Sequence, residues 1–265
     1  MTSALDKLLR QLATSRHNRR KALCFVAEGL RCCREAVAKR PNWLKAMLLS
    51  EEAAPEAAAE MTALAAEAGV VPERLPERAF AAYAQTEGPQ GILCLLEKPA
   101  ETTPKTLSPV CTLIMDQVRE PGNFGTILRT AWAAGLTQVW YTSASADPWS
   151  PKVVRAGMGA QFALELHRFD DLPAATECYR QLGGRRVWCA MMAATTTLFS
   201  DDFAPCGAAL VVGNEGNGVS VPEVGEAVTI PMPGHAESLN VAQAATLLLF
   251  EAIRRSSQKQ GVLLS

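Results

Sequence analysis

The sequence predicts an α/β protein in two parts, the second and larger built on a mostly parallel sheet. Three observations lead there. Strand, turn, helix and strand follow one another from TLIMD (112–116) to QVWYTS (138–143), the order of a βαβ unit. Short apolar runs then alternate with helical patterns along the rest of the chain, as in a sheet covered on both faces. Between the parts, KPAETTPKTLSP (98–109) sets three prolines among small polar residues without apolar periodicity. The expected division is therefore 1–97, a linker at 98–109, and 110–265.

In the first part, apolar periodicity marks a helix near 3–14, followed by the strand ALCFVAEG and a helix from about 29 to 40. WLKAMLLS reads as a strand, 55–68 as an Ala-rich helix and GILCLLE as a strand, which completes a small α/β module. In the second part, EPGNFGTILRTAWAAG (120–135) opens as a turn and continues as a helix that Asn123 is expected to cap and Gly135 to end. Further strands are expected in FALELHRF, RRVWCAM, AALVVG and AVTIPM, and helices near 151–158, 171–182 and 239–255. VAQAATLLLFEAI is too apolar for a lone surface helix and needs burial against the sheet or a partner subunit.

Composition excludes several classes. The chain has 265 residues, 48% hydrophobic and 20% charged, and no apolar run of the roughly 18 residues a membrane helix needs. The start MTSALDKLLRQLATSRHNRRK lacks the apolar core of a secretory signal, so a cytoplasmic location is expected. Eight cysteines show no C-x-x-C spacing and lie in apolar stretches, as small core residues do. His17, His167 and His235 are too dispersed for a ligand set, and no metal is expected. The net charge of −1 conceals an uneven distribution. Residues 1–45 carry 11 basic and 3 acidic side chains, whereas 46–105 carry 4 and 10. A basic N-terminal edge is either a solvated helix face or a phosphate-contacting patch.

Ligands of parallel α/β sheets sit beyond the carboxyl ends of the strands. Three loops fall there. The first precedes the helix carrying Arg129, whose neighbours Thr126, Thr130 and Ala133 are small enough for a guanidinium to reach over. The second, GNEGNG (213–218), follows AALVV and holds one carboxylate, Glu215; it is neither a Walker loop nor a G-x-G-x-x-G turn. The third, in IPMPGHAESLNVAQAATLLLFEAIRR (230–255), places Ser238 or Asn240 at a helix N-terminus, where one of them serves as the cap.

Together these stretches resemble the SpoU (TrmH-like) branch of the SPOUT RNA methyltransferases. NFGTILR is similar to the first motif, with Asn123, Gly125 and Arg129; VVGNEGNGVS to the second, with Gly213, Glu215 and Gly218; IPMPGHAESLNVAQAATLLLFE to the third, with Ser238, Leu239, Asn240 and Glu251. The resemblance covers about residues 110–255, and Val219 and Ala242 depart from residues frequent in relatives. Over the first 97 residues it rests on RHNRRKALCFVAEG, similar to the L30e-like RNA-binding domain of many members. It implies a SPOUT-type C-terminal domain with a trefoil knot, which the pattern of strands and helices does not suggest.

The resemblance further implies transfer of methyl from S-adenosylmethionine to a ribose 2′-hydroxyl, by a homodimer whose site is shared between subunits. Structured RNA is the implied substrate, 23S ribosomal RNA before transfer RNA. Arg129 becomes the central catalytic residue, with Asn123 and Glu215 orienting it and Ser238 and Asn240 placing ribose or the methionine end of the cofactor. Gly213, Asn214, Ile230, Met232 and Leu239 become the cofactor-binding set, and Arg16, Arg19, Arg20 and Lys21 the phosphate contacts. A free guanidinium loses its proton only above about pH 12, so two roles for Arg129 stay open. It is a transiently neutral base, or it stays charged and stabilises developing alkoxide while a phosphate oxygen or water takes the proton. The rival classes are a non-catalytic RNA-binding or ribosome-assembly protein, a nicotinamide oxidoreductase and a serine hydrolase built on Ser238. The missing G-x-G-x-x-G and G-x-S-x-G speak against the last two.

Overall fold

The structure, a computed structural model, describes residues 2–260. The chain forms two compact units: the described residues through Ala100 together with Asp147–Ala163, and Glu101–Ala146 together with the chain from Leu164.

The first unit runs α1 (Ser3–Thr14), α2 (Arg16–Ala22), β1 (Cys24–Glu28), α3 (Leu30–Lys39), β2 (Leu44–Ser50), α4 (Pro55–Glu67), β3 (Glu73–Leu75), α5 (Glu77–Phe80) and β4 (Ile92–Glu97). Its sheet has the order β1-β4-β2-β3, with β4 antiparallel to β1 and β2, and β3 parallel to β2. The run ILCLL of β4 is buried throughout, as a central strand covered on both faces must be. Leu9 and Leu12 of α1 close over Val26, Leu48, Leu93 and Leu95.

Asp147–Ala163, which the sequence assigns to the second domain, packs in this first unit. It carries α7 (Pro151–Gly157) and α8 (Ala160–Ala163). Trp149 lies 4.7 Å from Phe25 between ring centroids, and Phe162 lies 6.2 Å from the same ring. The expected strand FALELHRF is thereby corrected at its start. Phe162 belongs to α8, turned by Gly159 at φ +95°, and the strand begins at Glu165.

The second unit holds β5 (Thr112–Met115), α6 (Pro121–Ala133), β6 (Gln138–Thr142), β7 (Glu165–Phe169), α9 (Leu172–Gln181), β8 (Val187–Ala190), β9 (Thr196–Thr197), β10 (Ala209–Val212), β11 (Glu226–Thr229) and α10 (Val241–Gln260). Its seven strands lie in the order β7-β6-β5-β10-β8-β11-β9, every pair parallel. The core gathers Ile114, Trp140, Tyr179, Val187 and Val211, and α10 packs along α6 and on β10. From β5 the chain proceeds to β6 on one flank, while β10 on the other flank leads on towards β11. The loops after these two adjacent strands therefore diverge, and a crevice opens beyond their carboxyl ends.

Among the described residues all eight cysteines are free and five are buried. Burial pushes the Cys111 thiol up to about 12 and the Cys189 thiol up to about 11.

Candidate active site

The crevice is built from the end of β5. Asp116, 1% exposed, accepts the Ser220 N–H at 2.7 Å and the Thr142 hydroxyl at 3.2 Å. Thr142 Oγ1 in turn accepts the Gln117 N–H at 2.9 Å, and Asn214 Nδ2 donates to the Gln117 carbonyl at 2.9 Å. Gln117 is thereby held at φ +56°, a left-handed conformation that non-glycine residues rarely adopt.

The loop GNEGNG is rigidly closed. Asn214 and Gly218 exchange backbone bonds of 2.8 and 2.9 Å, and Asn214 Oδ1 accepts from the N–H groups of Gly216 and Asn217, each at 3.0 Å. Gly213 admits no side chain, because a Cβ there would fall 2.2 Å from the Gly218 carbonyl carbon.

This closure aims Glu215 at the start of α6. Its carboxylate accepts Asn123 Nδ2 at 3.1 Å, the Glu120 N–H at 3.2 Å, Asn214 Nδ2 at 3.3 Å and the Arg119 N–H at 3.4 Å. Partial burial raises the Glu215 pKa, but the bonds from Asn123 and from the backbone N–H groups outweigh it and hold the carboxyl below its ordinary value. Asn123 also accepts from Asn240 Nδ2 at 2.8 Å, and Asn240 Oδ1 accepts the Ala242 N–H at 2.9 Å. Asn240, not Ser238, is thus the cap of α10.

Two expected roles change. The N-cap of α6 is Glu120, with Pro121 in the first turn, so Asn123 lies inside the helix and its amide is free to bridge Glu215 and Asn240. Asn123 and Glu215 do not orient Arg129: the guanidinium is exposed on α6 and forms no hydrogen bond or ion pair among the described residues. Ser238 is likewise exposed in the loop before α10. The structure thus joins Asn123, Glu215 and Asn240 and leaves Arg129 and Ser238 without protein partners among the described residues.

Of the cofactor set, the Asn214 side chain is spent on the loop itself, while Gly213 contributes only main chain at a point with no room for a Cβ. Ile230 and Met232 are half-buried and Leu239 is 36% exposed, on a segment without helix or strand. Among the described residues, the main-chain groups of Met232 and Leu239 make no hydrogen bond. Unspent amide donors and acceptors beside apolar side chains suit a purine ring, whose edge needs one of each, so these residues fit an adenosyl group. Glu251 is a structural hub, 9% exposed and paired with Arg254 and Arg255 at 2.7 and 2.5 Å. Among the described residues no three of His, Cys, Asp or Glu gather as metal ligands, and no helix is long and apolar enough to cross a membrane.

The basic N-terminal set divides. Arg19 is 5% exposed; its Nε meets Asp147 at 2.8 Å and its Nη1 donates to the Leu12 carbonyl at 2.5 Å. Its expected contact with RNA is therefore corrected, since the guanidinium is buried within the first unit. Arg16, Arg20 and Lys21, with His17, line an open concavity of about 510 Å³. Sequence reasoning missed Asp116, Gln117 and Glu120. An acid closing an apolar strand and an acid directly before proline were the available signals.

Residues 111–250 match the SpoU rRNA Methylase family, and residues 7–94 the MRM3-like substrate binding domain. A tRNA/rRNA methyltransferase of Synechocystis is 34% identical over 179 residues, 66% of this chain and 65% of that protein, so the match spans just under two thirds of its length. The 23S rRNA guanosine 2′-O-methyltransferase RlmP of Bacillus subtilis is 32% identical over 242 residues, covering 89% of this chain and 91% of that one. The SpoU methyltransferase AviRb of Streptomyces viridochromogenes, solved with AdoMet, superposes with a TM-score of 0.83 at 25% identity, over 97% of this chain and all of that one.

Proposed function

Because the chain belongs to the SpoU rRNA methylase family, we propose that it methylates a ribose 2′-hydroxyl of large-subunit ribosomal RNA. It is an S-adenosylmethionine-dependent RNA methyltransferase. The observation that carries the reading is the bond chain Glu215–Asn123–Asn240, which draws three sequence-distant motifs together at the crevice.

When bound, S-adenosylmethionine supplies an electrophilic methyl carbon on a sulfonium. The main chain around Gly213, Ile230, Met232 and Leu239 would hold the adenosyl part. The protein's share is placement and charge: the ribose oxygen must be held in line behind the methyl group while its proton leaves. Arg129, exposed and without a partner among the described residues, has its guanidinium available for the phosphate beside the target ribose and for developing alkoxide. A phosphate oxygen or water then takes the hydroxyl proton. Ser238 positions the ribose, and Asn123, Glu215 and Asn240 fix the loops around it.

Arg16, Arg20 and Lys21 bind RNA phosphates in the first unit. A second copy of the chain completes the site, covering the exposed Leu247 (41%) and Phe250 (48%) of α10. The knotted path of the last segment and action in the cytoplasm belong to the same proposal. Transcribed 23S rRNA and assembled 50S particles incubated with tritiated cofactor test it. Label recovered on a 2′-O-methylated nucleoside is expected, and label that never reaches a ribose overturns it.

A further inference from the structure

We propose that Arg119 is a second substrate contact, binding a backbone phosphate of the RNA next to the nucleotide being methylated. The inference rests on the RNA-methyltransferase reading and deepens it. Arg119 lies in the crevice loop between β5 and α6 and is exposed. Its main chain is fixed to the central carboxylate, since its N–H donates to Glu215 Oε2 at 3.4 Å. Its guanidinium rests on an amide: Nη2 donates to Gln117 Oε1 at 3.0 Å. Gln117 is itself pinned from both sides, by Thr142 on its N–H and by Asn214 on its carbonyl.

Charge bookkeeping at the loop leaves this cation unneutralised. Glu215 is occupied by two side-chain amides and two backbone N–H groups, and Glu120 by the Gly122 N–H at 3.2 Å. No described carboxylate forms an ion pair with Arg119. A guanidinium carries five N–H donors, and one bond to Gln117 leaves most of its fork directed to solvent. Strained backbone persists where the surroundings over-determine it, and such sites cluster at ligand clamps. Here the strained Gln117 pre-orients a guanidinium that has no ion-pair partner among the described residues, at the rim of a crevice whose substrate is a polyanion. Planar bidentate recognition of phosphate is what this side chain does best.

The test uses the full chain as wild type, Arg119→Gln, Arg119→Lys and Gln117→Ala, with transcribed 23S rRNA. RNA affinity is measured against NaCl concentration, methyl transfer as kcat and KM, and cofactor affinity by calorimetry. Arg119→Gln is expected to weaken RNA binding about tenfold and to lower the slope of log K against log salt by roughly one, with cofactor affinity within twofold. The loss is expected in KM more than in kcat. Arg119→Lys keeps the slope while binding more weakly, and Gln117→Ala falls between wild type and Arg119→Gln.

Wild-type affinity and slope in Arg119→Gln overturn the proposal. So does an equal loss of cofactor binding, which marks a purely structural role. Wild-type protein that methylates no RNA overturns the functional reading beneath it, an outcome distinct from a variant that merely retains its RNA.

Discussion

Asn240 donates its amide N–H to Asn123 at 2.8 Å, so the last helix of the chain is tied to the first turn of α6 across 117 positions of sequence. Asn123 passes the connection on by donating to Glu215. The side-chain amide offers its oxygen as acceptor to Asn240 and its N–H as donor to Glu215.

Asn123→Asp retains size and the acceptor but loses the donor and sets a second carboxylate against Glu215. We expect kcat/KM to fall at least tenfold, or about 1.4 kcal/mol, because the two loops part. The thermal midpoint should change little, since the contact is exposed. Steady-state kinetics beside a melting curve check both.

Arg129→Ala removes the unpaired cation without opening any contact among the described residues. Turnover should drop by about 10³-fold, in the range of losing one charge-stabilising donor, with cofactor affinity within a few fold. Near-normal turnover in single-turnover assays would remove Arg129 from the chemistry.

Arg19→Ala and Arg20→Ala should behave oppositely. The first leaves Asp147 uncompensated, both side chains being nearly buried (6% and 12% exposed), and should cost about 3–5 kcal/mol of stability. The second touches only the open concavity and should weaken RNA binding at unchanged stability. Urea titration and filter binding on both variants separate the two roles.

Glu215 makes the site sensitive to acid. Its folded pKa is depressed, so the stabilisation from its hydrogen bonds is complete above the unfolded value, about 4.3 for glutamate. It is lost as pH falls through the lower folded value. Wild type should therefore lose part of its stability below that window, whereas Glu215→Gln should show a flatter response there. Urea midpoints between pH 3 and 6 provide the comparison.

Long apolar runs were legible because periodicity survives in sequence: β4, β5 and α10 lie where the pattern puts them. Very short elements were not. β9 has two residues and β3 three, and their existence depends on neighbours rather than on their own composition. The motif residues Asn123, Glu215 and Asn240 were recognisable, yet their mutual bonding was not, since it depends on Glu120 taking over the cap. Arg19 misled for a similar reason: nothing local announces a partner 128 residues away.

The excursion of Asp147–Ala163 has a genetic consequence. A gene fragment stopping at residue 100 would encode a first unit lacking Trp149, Phe162 and the anion that neutralises Arg19. A single cut at residue 100 therefore does not release the first unit whole; a fragment meant to keep its aromatic packing and the Arg19 ion pair must also carry Asp147–Ala163.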